Sequence, residues 1–159
     1  MFAVYTISRE YGSGGSTLAI NMSEISGYQL IWREIINQAA IQIGAPDMAL
    51  AVIDELGFFG LSPDEDTFEK FKVSLEKVVK EKAKSGNVII VGRASQIILN
   101  DFPNCFHIRV IASLKTRINN IQRTKIVSEP GARAQIQESD RYRRQFIKKM
   151  YEVDWNDPS

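Results

Sequence analysis

The sequence predicts a doubly wound α/β domain, a parallel sheet between layers of helices, and three observations predict it. An apolar, β-branched segment, "FAVYTIS" (residues 2–8), runs into a glycine-rich loop and then into a stretch of helical spacing. The run "VIIV" (Val88–Val91) has no polar alternation, as a central parallel strand covered on both faces requires. Strand-like and helix-like segments then alternate along the chain, the order from which βαβ units are built.

Taken in order, residues 2–8 form a buried strand, and "STLAINMSEIS" after the glycines carries apolar residues at helical spacing up to Gly27. "YQLI" is a short strand, and "WREIINQAAIQIG" is a helix broken by Gly44 and Pro46. "DMALAVIDELG" reads as a helix and "GFFGLSP" as a loop. Residues 64–84 form a long amphipathic helix with Phe68, Phe71, Leu75, Val78 and Val79 as its apolar stripe, ended by Gly86. After "VIIV" come a short helix in "ASQIILND" and a strand in "CFHIRVIA". "SLKTRINNIQRTKIV" is a helix with a Ser cap, and "GARAQIQESDRYRRQFIKKMY" is a second helix after Pro130. The tail "EVDWNDPS" has no periodicity.

At 159 residues the chain is read as a single domain, 1–159, without internal repeats. A net charge of +1 gives the whole molecule no pull toward nucleic acid or an acidic membrane, so neither partner is expected. The charge is uneven, however: residues 109–149 hold eleven Lys or Arg against three Asp or Glu. That basic third either faces phosphates or forms solvated helix surface. Cys105 is the single cysteine, so no disulfide forms within the chain, which fits a reducing cytoplasm, and its apolar neighbours mark it as a structural thiol. His107 is the single histidine, which leaves zinc sites and histidine triads without their ligands. Apolar runs fall short of membrane-spanning length, and the first residues lack the basic leader of a signal peptide.

The chemistry concentrates in "ISREYGSGGST", Ile7 to Thr17. A loop that leaves a buried strand and opens a helix presents free N–H groups at the positive end of the helix dipole, where phosphate binds without any particular side chain. Gly12, Ser13, Gly14, Gly15, Ser16 and Thr17 are the candidate phosphate-binding residues, and Ser16 stands where phosphate loops place their Mg²⁺-binding hydroxyl. The pattern G-x-x-x-x-G-K-[ST] is broken twice, since Arg9 replaces its first glycine and Gly15 its lysine. Arg9 is either a replacement cation or a structural arginine, and the loop is either an anion site or a glycine turn with a Ser cap.

"TISREYGSGGS", "VIIVGRAS", "HIRVIAS", "ESDRYRR" and "VDWNDPS" together resemble the cytidylate kinase-like family of P-loop proteins, in order and spacing over nearly the whole chain. The resemblance implies a P-loop NTPase fold of three layers, with a loop of the form S-R-x-x-G-S-G-G that already lacks the lysine. It implies a nucleoside monophosphate kinase-like transferase moving the ATP γ-phosphoryl group to a CMP-like acceptor, with Mg²⁺ accompanying ATP. An acceptor-binding helical region about 28–85 and an arginine-rich lid region about 115–150 follow from it. Arg93 matches the "GR" arginine that would contact the acceptor phosphate, and its place at a strand end agrees with where open α/β sheets bind ligands. Arg117 and Arg123 match arginines near the donor or the transferred group, and Asp140 and Arg143 match a lid D-x-x-R. With Arg9 these arginines are the candidate catalytic set. Partners implied are small-molecule nucleotides.

Departures from the family pattern are equally specific. Trp32 stands where the family often has a base-reading aspartate, Ser16 where it commonly has arginine, and Ala94 where ordinary cytidylate kinases carry the acid of "GRD". The family usually continues after "DP" with a further strand and helix, and this sequence stops at Ser159. The last edge strand is then either lost or outside the sequence, and a bare edge would favour a homodimer. The alternative to a working kinase is a catalytically weak or inactive nucleotide-binding regulatory module.

Overall fold

The computed structural model describes residues 3–45 and 64–156. The expected helix "DMALAVIDELG" and loop "GFFGLSP" lie outside the described residues. Four strands, β1 (Val4–Arg9), β2 (Gln29–Ile31), β3 (Val88–Val91) and β4 (Cys105–Val110), form one sheet in the order β2-β3-β1-β4. Every pairing is parallel, with Val4 opposite both Val88 and Cys105. Parallel neighbours need crossovers, and six helices are described: α1 (Gly15–Ser26), α2 (Glu34–Gln42), α3 (Glu65–Lys84), α4 (Ser95–Ile98), α5 (Leu114–Thr124) and α6 (Glu129–Tyr151).

Strand alternation divides the core into two layers. Val4, Val88, Ile90 and Ile31 face one way, against α2, α3, α4 and α6, in a cluster that includes Phe71, Leu75, Val78, Phe146 and Met150. Ile7, Ile89 and Val91 face the other way, against Ala19 of α1. All four residues of β3 are buried, as its unbroken apolar run requires. A third, small cluster joins Ile118 and Ile121 of α5 to Ala132 and Ile136 of α6, with Tyr11 of the glycine loop packed against it. Helices on both faces make this the three-layer α/β architecture expected.

Local signals set most boundaries. Asp64 caps α3, accepting from Thr67 N–H at 2.8 Å, and that bond holds its carboxyl below the usual carboxylate range. Ser113 caps α5 through Thr116 N–H. α6 differs from expectation: it begins before Pro130, with Ser128 as the cap accepting from Gly131 N–H. Proline fits the first turn because its missing N–H would have had no intrahelical partner. β1 runs one residue further than expected and ends on Arg9 itself. Trp155, in the tail without periodicity, is buried in the larger core cluster. Burial pushes the Cys105 thiol up to about 11, in keeping with a structural role. Among the described residues no helix is long and apolar enough to cross a membrane.

Phe71 is fully buried in the larger core cluster. Phe71→Ala is expected to cost about 3–5 kcal/mol of stability, through lost transfer energy and a residual cavity. Urea denaturation measures it, and a loss below about 1 kcal/mol would place the core elsewhere.

Candidate active site

The glycine loop joins the end of β1 to α1 at the C-terminal edge of the sheet. Gly12 and Gly14 have φ of 79° and 91°, in the left-handed region where a Cβ is strained. Gly12 is also crowded, because a Cβ there would lie 2.9 Å from the Arg117 carbonyl oxygen. The N-cap of α1 is Gly14, which has no side chain to accept from the first-turn amides. A serine cap therefore does not start this helix, and its N-terminal N–H groups are left to water or an anion.

Helices α5 and α6 hold the loop from behind. Arg117 Nε donates to the Tyr11 carbonyl at 2.7 Å, and Asn120 donates to the Gly12 carbonyl at 2.9 Å. Tyr11 N–H donates to Asp140 Oδ1 at 3.2 Å. The Tyr11 hydroxyl accepts from Lys125 Nζ at 2.7 Å and donates to Gln135 at 3.3 Å. Arg117 ties these contacts together. Its guanidinium pairs with Asp140 and lies 3.4 Å from Glu10 Oε2, and Glu10 in turn accepts from Ala112 N–H at 3.1 Å. In a trans peptide the C=O and N–H point oppositely, so anchoring the Tyr11 carbonyl on Arg117 turns the Gly12 N–H away from α5.

Beside the loop lies a narrow cleft of about 20 Å³ lined by Arg9, Arg93 and Arg143, with Ser8, Gln96, Phe146 and Trp155 among its other walls. None of its described lining residues is acidic. Arg93 is 2% exposed and follows β3 in a run of three left-handed residues, Gly92, Arg93 and Ala94, at φ of 70°, 61° and 55°. Such backbone costs on the order of 1–3 kcal/mol per non-glycine residue and is characteristic of functional sites. Arg143 comes from α6, where Asp140 lies 3.5 Å from its Nη1. The Arg9 guanidinium stands 5.3 Å from the centroid of the Trp32 ring. Arg109 lies over the Trp155 ring at 4.8 Å and donates to the Trp155 carbonyl, which fixes that wall. A guanidinium is a planar fork of donors whose geometry matches phosphate oxygens, so phosphate is the ligand chemistry such a wall can take.

The structure thus brings Arg9, Arg93 and Arg143 together and places the other two candidate arginines elsewhere. Arg117 is buried behind the loop in its ion network, as a residue that positions backbone. Arg123 is an exposed residue near the end of α5, with Asn120 Oδ1 at 3.5 Å as a partner. Sequence reasoning missed Glu10, Tyr11, Asn120 and Trp155, whose partners are remote in the chain and leave no local pattern. As for a metal, Ser16 in the first turn of α1 supplies one hard oxygen, and no group of three or more His, Cys, Asp or Glu is gathered among the described residues. That donor set fits Mg²⁺ held mainly by phosphates and water, not a cation held by the protein alone.

Removing one partner of a buried ion pair strands the other charge, so Arg117→Ala is expected to cost about 3–5 kcal/mol. Chemical denaturation tests this, and a change under about 1 kcal/mol would show that the network does not hold the loop.

Comparison with known proteins bears on the fold and the family. A crystal structure of an uncharacterized protein from Eubacterium ventriosum superposes with a TM-score of 0.72 at 20% identity, covering 97% of this chain and 81% of that one. Shikimate kinase from Bacteroides thetaiotaomicron superposes with a TM-score of 0.53 at 11% identity, covering 94% and 83%. At such identities the likeness establishes the fold alone, an α/β fold shared with that shikimate kinase. Among curated proteins no match is found. The family model of the cytidylate kinase-like family matches residues 4–159, and the chain belongs to that family.

Proposed function

We propose that the protein is a phosphotransferase that moves the γ-phosphoryl group of ATP to a nucleoside monophosphate of the CMP type. The observation that carries this reading is the juxtaposition of a loop opening α1 with a three-arginine cleft, Arg9 standing between them. The donor triphosphate rests on the backbone from Gly12 to Thr17. Arg93 and Arg143 hold the acceptor phosphate, and Arg9 takes the place of the P-loop lysine. Trp32 offers an aromatic face near the acceptor side. An acceptor phosphate oxygen attacks the γ-phosphorus, the bond to the bridging oxygen breaks, and ADP leaves with that electron pair. The acceptor is already anionic, so no general base is needed, and the protein's share is positioning and charge stabilisation. Bound Mg²⁺, with the Ser16 hydroxyl beside it, would offset charge on the outer phosphates. ATP as donor and the single thiol fit a cytoplasmic location.

The second reading, a nucleotide-binding module with little or no turnover, is favoured by Ala94, an apolar residue in left-handed backbone where ordinary cytidylate kinases have an acid. The two separate by titrating the protein with Mg-ATP and then assaying transfer to CMP, UMP, AMP and dCMP. Transfer supports the kinase, and saturable binding without transfer supports the module. Failure to bind Mg-ATP removes both. Arg93→Ala is expected to weaken monophosphate binding by about 30- to 100-fold, the loss of a charge-assisted contact, while ATP affinity stays within about 3-fold. Equal losses for both ligands would overturn the role given to Arg93.

A further inference from the structure

Arg9 and Gly15, the two departures from the ordinary phosphate-loop pattern, lie against each other in space. A Cβ built on Gly15 would fall 2.5 Å from Arg9 Cβ, 3.0 Å from Arg9 Cγ and 3.2 Å from Val110 Cβ. Non-bonded carbon atoms do not approach at 2.5 Å, and Arg9 Cβ is held on the end of a strand paired with β4 at Val110, so it cannot swing far. In this backbone only one of the two positions can carry a side chain. The ordinary loop leaves the strand position empty and puts lysine on the helix. Here the strand position carries the cation and the helix position is empty.

We infer that Arg9 and Gly15 are a single exchanged unit, in which the loop's cation is delivered from the end of β1 across the first turn of α1 and meets the outer phosphate of a nucleoside triphosphate. The inference rests on the nucleotide reading above and assigns the charge at that site. The stem of Arg9 passes over Gly15, and its guanidinium lines the cleft with Arg93 and Arg143. A lysine on α1 would present a point charge to the donor alone. A guanidinium is a planar fork with donors on more than one edge, so from this position it can face the donor's terminal phosphate and the acceptor's anion together. The buried stem, 7% exposed with the rest of the residue, restricts where that fork can go.

The test is a swap, read by calorimetric titration with Mg-ATP and with tripolyphosphate, and by thermal melting. Arg9→Gln keeps most of the stem and removes the charge. It is expected to weaken both ligands by about 10- to 100-fold with little change in melting. Gly15→Lys alone is expected to lower the melting temperature by roughly 4–10 °C, because its Cβ meets Arg9. The double variant R9G/G15K is expected to melt near the wild type and to bind Mg-ATP within about 3-fold of it, the non-additivity of directly contacting positions. The inference is overturned if Arg9→Gln binds both ligands as tightly as the wild type. It is also overturned if R9G/G15K binds Mg-ATP no better than Arg9→Gly, or if Gly15→Lys melts like the wild type. A wild-type protein that binds neither ligand removes the nucleotide reading and this inference with it. A wild type that binds both, with Arg9→Gln undiminished, removes this inference alone.

Discussion

The buried ion network around Arg117 is the constraint on which the site depends. One guanidinium engages Glu10 and Asp140 and also donates to the Tyr11 carbonyl. Such networks add little net stability, since desolvation offsets most of the attraction, but they penalise every arrangement that leaves a charge alone. The glycine loop, the junction after β4 and the middle of α6 are therefore held in one relative position. Asp140 extends the constraint, because it accepts from Tyr11 N–H and lies beside Arg143, which reaches into the cleft. Loop shape and cleft charge are set by the same carboxylate.

The cleft itself draws one arginine from each of three distant segments: the end of β1, the turn after β3 and the middle of α6. They converge because all strands of the described sheet run the same way, so the ends of β1 and β3 lie side by side. The left-handed turn at Arg93 is the local cost of bringing the third strand's arginine inward. That strain is tolerable where the flanking structure is rigid, and β3 is the most deeply buried strand of the sheet.

Much of the fold was legible because its signals are local. The apolar run of β3, the apolar stripe of α3 and the caps at Asp64 and Ser113 can each be read within a few residues. The start of α6 was misplaced because Pro130 reads as a boundary, while Ser128 two residues earlier is the cap. The site was legible in part: the glycine loop and Arg93 have patterns of their own. By sequence Arg117 reads as one of the candidate catalytic arginines, and its burial behind the loop follows from Glu10 and Asp140, partners that no spacing rule connects to it. Tyr11 and Asp140 are 129 positions apart, and Arg109 and Trp155 are 46 apart. Side-chain contacts over such separations leave no period in the sequence. The mutual exclusion of Arg9 and Gly15 is a matter of ångströms between two carbons, which only coordinates reveal.

The sheet order has a consequence for how the protein is made. β1 is synthesised before both of its neighbours, β3 and β4, which come from residues 88–110. The strand that carries the loop thus waits unpaired while the helices between are synthesised, and non-local parallel pairing of this kind is slow and exposes apolar edges meanwhile. Even then the support of the loop by Arg117 and Asn120 is incomplete until Asp140, 129 positions beyond Tyr11, has emerged. Nascent chains arrested before that point would carry the glycine-loop sequence without the full set of contacts that shape it, so the loop takes its final form only after synthesis has passed α6.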